Sequence, residues 1–218
     1  MSLQTIIDNA TYLEIDRRQM TGSTLSRSGH YKTADRNINV YSFTVGMHNG
    51  LTYSTSREIL ENLYTTGSNT EANISFNNNT GMNYITAYQG DIATNQLANI
   101  STVGINGDRI YIDQTGATGS GTLYKSGDFI QPKGNTDTYR YPYQVKYDVA
   151  FNSGSANTTV FVHRPVLSQD GVALTSGGIK VGNDVTWRVK ITNLPKYTIA
   201  PHDRLEFSAD FELIEVIS

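Results

Sequence analysis

The sequence has no cysteine, which excludes disulfide staples and any metal site built on thiolates. Charge is also scarce: 17 Lys and Arg stand against 20 Asp and Glu in 218 residues, for a formal net charge of -3. No long run of basic residues interrupts that balance, which argues against a surface that binds nucleic acid by neutralising phosphates. Long apolar stretches are missing too. None approaches the roughly 20 residues that cross a bilayer as a helix, so membrane insertion is not expected. After Met1, Ser2-Leu3-Gln4-Thr5 places no basic segment ahead of an apolar one, so no secretory signal is expected. What is present is 14 Tyr, 19 Gly and an abundance of Asn, Thr and Ser, the composition of strands joined by polar turns. The length suffices to bury one large all-β core or two smaller ones.

The cleanest pattern is a period of two near the C-terminal end. Leu205, Phe207, Ala209, Phe211 and Leu213 fall on one face, and Glu206, Ser208, Asp210 and Glu212 on the other. Such alternation predicts a single strand with one packed and one wet face. Upstream, Val185, Trp187, Val189 and Ile191 alternate with Thr186, Arg188 and Lys190, predicting an antiparallel neighbour. Leu194 to Asp203, with two prolines, reads as the connection.

In chain order, Thr11 to Asp16 reads as a short strand ending at Arg17 and Arg18, followed by a polar stretch from Thr21 to Lys32 with a turn at Ser26-Arg27-Ser28-Gly29. Tyr41, Phe43 and Val45 form the apolar face of the next strand. One good helix is predicted over about 54–64, with Ser54 or Thr55 as N-cap, Glu58 at capping-box distance and an apolar stripe of Ile59, Leu60, Leu63 and Tyr64. A helix this short must lie against a sheet. Ile74-Ser75-Phe76 and Tyr84 to Gly90 read as a hairpin. Beyond Gly90 come short β pieces and Gly-rich turns. A long strand Tyr143 to Phe151 then pairs as a hairpin with Thr159 to His163, and glycine turns near 177–182 lead back to the closing strands.

The fold class expected is mainly β: an antiparallel β-barrel or sandwich with one α-helix, plus an inserted small β-barrel. The division expected is residues 1–92 with 183–218 as one domain and 93–182 as the insert.

No catalytic, cofactor or metal constellation is legible. His30, His48, His163 and His202 lie far apart with no metal-ligand spacing. The glycines from Gly116 to Gly121 lack the Gly-Lys-Ser/Thr ending of a phosphate loop, and there is no Gly-x-Ser-x-Gly elbow. Asn135-Thr136-Asp137 is too sparse for calcium. The candidate subunit or sugar contacts are Arg17, Arg18, Arg27, Tyr139 and Tyr141. The arginines have the chemistry for a phosphate, although the overall acidity favours pairing with acidic neighbours. Tyr139, Tyr141 and Tyr143 are read as exposed rings able to stack on sugars, or as ordinary strand composition.

Three stretches taken together resemble a known plan. They are Gly121 to Gln131 with its Gly127-Asp128, then Tyr143-Gln144-Val145, then Val160 to Leu167 with its Pro165-Val166-Leu167 exit. Val185 to Ile191 and an acidic terminal strand from Glu206-Phe207 to Glu215 follow. This order is similar to bacteriophage tail proteins of the distal-tail or baseplate-hub type. The resemblance implies a tail-tube-like β-barrel with an insert and a structural, non-enzymatic role without cofactors. It also implies assembly with itself into a hexameric ring around the DNA channel, alongside other tail or baseplate proteins and without sequence-specific nucleic-acid binding. The location implied is the virion, after synthesis in the host cytoplasm. The alternative is a carbohydrate-binding β-module used in host attachment.

Overall fold

The computed structural model describes residues 3–25, 31–47, 51–66, 71–133, 141–167 and 177–217, with the backbone alone over 18–25 and 31–38 and at 66 and 177. In chain order the strands are β1 (Tyr12–Leu25), β2 (Tyr31–Gly46), β3 (Glu71–Ile74), β4 (Ser101–Asn106), β5 (Arg109–Asp113), β6 (Thr122–Tyr124), β7 (Phe129–Pro132) and β8 (Tyr143–Gln144). They continue with β9 (Val149–Ala150), β10 (Thr158–Phe161), β11 (Gly177–Val181), β12 (Trp187–Asn193), β13 (Tyr197–Ala200), β14 (Arg204–Phe207) and β15 (Phe211–Glu215). The helices are α1 (Leu3–Asp8), α2 (Tyr53–Thr66) and α3 (Thr94–Leu97).

The chain is mainly β. A five-stranded antiparallel sheet runs β1-β2-β15-β12-β3, and a six-stranded one runs β10-β5-β4-β11-β7-β8. Strands β13 with β14 and β6 with β9 form two small ribbons. The sheets are open and sandwich-like. The expected barrels are not closed: β1 and β3 end the first sheet, and β8 and β10, the ends of the second, meet among the described residues through one isolated bridge, Val145 with Val162, rather than a full strand ladder.

In the first sheet, alternation decides the packing. Trp187, Val189 and Ile191 of β12 are buried, as are Phe211 and Leu213 of β15, while Glu212 is exposed. On the opposite face Arg188 and Lys190 of β12 pair across the ladder with Glu71 of β3, the lysine at 3.6 Å. Helix α2 sets Ile59, Leu60 and Leu63 into the same core as Phe43, Trp187 and Leu213, and α1 adds Leu3, Ile6 and Ile7. The apolar face of α2 is thus its sheet-facing face, although Tyr64, expected in the stripe, is 41% exposed. Trp187 is surrounded by aromatic rings, with centroids at 5.7 Å to Phe43, 5.4 Å to Phe76 and 5.3 Å to Phe129.

A second core, from Ile92 to Val181, gathers Ile110, Ile112, Leu123, Tyr124, Ile130, Val160 and Val162. Strand β7 lies between the two cores and is buried throughout: Phe129 belongs to the first and Ile130 to the second. Gln131, on the Phe129 side, donates to Thr186 O at 2.8 Å and accepts from Thr186 N at 3.0 Å, tying β7 to the residue before β12.

Several expectations need correction. The run Leu205 to Leu213 is two strands rather than one. It breaks at Ser208–Asp210, where Ser208 N donates to Lys196 O at 2.8 Å, and its first half pairs with β13 inside the expected connection. Among the described residues there are three α-helices rather than one; α1 and α3 are too short to show a periodic stripe. Segment 84–90 does not pair with 74–76. Residues Asn83–Ile85 form a 3-10 turn, and β3 pairs instead with β12. The long strand Tyr143 to Phe151 is interrupted, leaving Tyr147 63% exposed; of the expected hairpin with Thr159 to His163 the part around Val145 and Val162 forms, while β10 pairs along its length with β5. Gly177 to Val181 is a strand bridging β4 and β7, not a turn. The N-terminal hairpin is longer than expected, with β1 reaching Leu25 and β2 beginning at Tyr31.

Candidate functional site

The most heavily constrained polar cluster joins the two cores. Arg164 follows β10 and is 1% exposed. Its Nη1 donates to Glu215 Oε2 at 2.6 Å and to Asn39 O at 2.7 Å; its Nη2 donates to Glu215 Oε1 at 2.6 Å and to Pro142 O at 3.0 Å. Glu215 Oε2 also accepts from Tyr41 N at 3.2 Å. One planar fork therefore holds four segments: β2, the approach to β8, the exit from β10 and the end of β15. The guanidinium lies between the rings of Tyr41 and Tyr143, 5.5 and 5.3 Å from their centroids.

Burial works against the charge of Arg164. The hydrogen bonds and charge of Glu215 outweigh it and hold the guanidinium pKa above its ordinary value. Burial pushes the Tyr41 and Tyr143 hydroxyls up, so both rings stay neutral. His163 is pushed down to about 3, first by burial and then by the cations Arg164 and Arg17. Its Nδ1 accepts from Gln144 N at 2.9 Å, which places the proton of the neutral ring on Nε2. The cluster is thus a charged pair inside a shell of neutral rings. Such an arrangement positions chain segments; it offers no nucleophile and base within reach of each other.

The sequence-predicted contacts do not converge. Arg17 is exposed on β1, and its Nη1 donates to Gln144 Oε1 at 2.9 Å, a second tie between the N-terminal hairpin and the middle of the chain. Arg18 lies in β1 opposite Val40, and its side chain is outside the described residues. Arg27 and Tyr139 also lie outside the described residues, as do His30 and His48. Tyr141 and Tyr143 are 1% and 0% exposed, which corrects their reading as surface rings: neither presents a face to a sugar. No group of three or more His, Asp or Glu positioned for a metal ion occurs among the described residues, and no helix there is long and apolar enough to cross a membrane.

Neither Arg164 nor Glu215 stood out in the sequence. For Glu215 a signal existed: it continues the parity of Phe211 and Leu213, which places a carboxylate on the buried face. For Arg164, an isolated arginine before a proline, there was none. No protein-family model matches this chain, and a search of curated proteins finds no match.

Proposed function

We propose that this chain is a structural subunit of a bacteriophage tail or baseplate that assembles with copies of itself into a ring around the DNA channel. The observation that carries the reading is the N-terminal hairpin. Strand β2 pairs with β1 from Tyr31 to Gly46 but with β15 only from Ser42 to Val45. From Tyr31 to about Asn39 the hairpin runs on as a ribbon of two strands, each lacking a further strand neighbour among the described residues. A free two-stranded ribbon is marginal in water, and its open edges invite pairing with another chain. A subunit whose ribbon is completed by a neighbour turns that liability into an assembly contact.

Two further observations support the reading. The entry and exit motifs of the resemblance meet in space: Leu167 N donates to Tyr143 Oη at 2.9 Å and His163 N to Gln144 O at 3.0 Å. The buried Arg164–Glu215 pair fixes the inserted portion to the first sheet, as a load-carrying part requires. The sugar-binding alternative has no comparable observation behind it.

Mass photometry and negative-stain microscopy of the purified chain test the proposal. Closed rings are expected, and they should be lost when residues 20–37 are replaced by an Asn-Gly turn that keeps the sheet-paired part of the hairpin. A chain that stays monomeric at all concentrations and is absent from phage particles overturns it.

A further inference from the structure

The ladder between β10 and the chain around β8 is only half closed. His163 N donates to Gln144 O and Lys146 N to Phe161 O at 2.8 Å, so residues 144–146 run antiparallel to 161–163. At Tyr147 the chain swings away to form β9 with β6. Between β9 and β10 this leaves a cleft of about 400 Å³, lined by Tyr147, Val149, Ala150, Asn152, Thr159 and Phe161.

The backbone of β10 shows what fits there. Val162 N donates to Asp108 O at 2.9 Å, and the register pairs Val160 with Ile110 and Thr158 with Ile112. By the alternation of an antiparallel ladder, the even-numbered residues turn their N–H and C=O toward β5. Thr159 and Phe161 turn theirs the other way, as the bond from Lys146 N to Phe161 O shows. Among the described residues the N–H and C=O of Thr159 and the N–H of Phe161 have no partner, and they line the open side. Side-chain anchors stand beside them. The exposed Tyr147 packs edge-on against Phe161 with ring centroids 5.8 Å apart, and the Arg109 guanidinium lies 5.0 Å from the centre of the Phe161 ring.

We propose that this open edge is a strand-addition site, and that its occupant is the β1–β2 ribbon of a second copy of the chain. The inference rests on the ring reading and deepens it by naming the contact. An extended backbone is the one chemistry that meets a row of alternating donors and acceptors along its length. The chain itself carries such a segment, since β1 is an end strand whose one strand partner among the described residues is β2. The ribbon edge (β1) and the acceptor edge (β10) are different surfaces of the chain, so the contact is head-to-tail and repeats from copy to copy, closing into a ring where the rotation permits.

The test is amide hydrogen exchange of the full chain, followed residue by residue in dilute and assembled samples, together with Thr159→Pro. That substitution removes an N–H that faces the cleft and leaves the bonds to β5 in place, the position where an edge strand tolerates proline. On assembly the amides of Thr159, Phe161 and β1 are expected to slow by at least about tenfold, and Thr159→Pro to weaken assembly by a similar factor. Assembly that leaves the Thr159 and Phe161 amides unchanged overturns this inference alone. Absence of assembly at every concentration overturns it together with the ring reading. Should Thr159→Pro fail to fold, the exchange data on the unaltered chain decide the matter.

Discussion

Arg164 and Glu215 face each other as a two-pronged ion pair at 2.6 Å on both arms, with side chains 0% and 1% exposed. Both charges were taken out of water at considerable cost, and each is now indispensable to the other. Arg164→Ala should therefore cost about 3–5 kcal/mol, because it strands a buried carboxylate. The pair replacement Arg164→Met with Glu215→Leu should cost less than the single change, since no charge remains unmatched. It should not be neutral, because Asn39 O, Pro142 O and Tyr41 N each lose a partner; the first two are lost in Arg164→Ala as well, so what the pair is spared is the stranded carboxylate. Urea unfolding of the two single variants and the pair checks this as a double-mutant cycle.

His163 gives the stability a definite pH slope. Its folded pKa lies near 3 and its ordinary value is 6.5. Between those values the unfolded chain takes up a proton that the folded chain refuses, so stability falls as pH drops below about 6.5, by up to about 1.4 kcal/mol per pH unit. The groups around it are the rings of Tyr41 and Tyr143 and the cations Arg164, Arg17 and Lys146. His163→Asn keeps an acceptor for Gln144 N and cannot titrate. Denaturation midpoints at pH 7 and pH 5 should differ clearly in the parent chain and much less in the variant.

Phe211 and Glu212 separate the two faces of β15. Phe211 is 1% exposed and packs against Phe207, ring centroids 5.0 Å apart, whereas Glu212 is exposed. Phe211→Ala should cost about 3–5 kcal/mol and Glu212→Ala little. Thermal unfolding of the two variants side by side reads the difference.

Period-two alternation carried much of the architecture into view, because one buried face per strand is a local property. It placed Trp187, Val189, Ile191, Phe211 and Leu213 inward, and the helical stripe placed Ile59, Leu60 and Leu63. It failed where the same parity runs through a break. Ala209 keeps the register of Leu205 and Phe211, so nothing in the pattern marks the bend at Ser208–Asp210, which is made by a hydrogen bond from Ser208 to Lys196. Tyr147 keeps the parity of Val145 and Val149 yet points to solvent, because the chain leaves one strand partner for another there. Gly177 and Gly178 read as a turn and act as strand, their pairing supplied by Thr102 and Ser101 far away in sequence. The Arg164–Glu215 junction was hidden for the same reason: it depends on which distant segments meet.

The start of α2 shows a distant residue acting where a local one was expected. Neither Ser54 nor Thr55 is the cap. The helix begins at Tyr53, and the Asp203 carboxylate accepts from Ser54 N at 2.9 Å and also from the Ser54 hydroxyl, while Asp203 O accepts from Tyr53 N at 3.0 Å. Asp203 satisfies otherwise orphaned donors and places a negative charge at the positive end of the helix. It does so from a left-handed conformation, with φ at 62° after His202 at 64°. Asp203→Ala should therefore lose the cap and keep the backbone cost, for a loss of about 1–2 kcal/mol. Asp203→Gly loses the same carboxylate but relieves the strain, and should fall closer to the parent. Asp203→Asn keeps an acceptor and tolerates the left-handed region, so it should be the mildest of the three. Urea midpoints in the order Asn, Gly, Ala from most to least stable are the expected result, and an alanine variant as stable as the asparagine one would show that the side-chain acceptor at 203 does not hold the helix start.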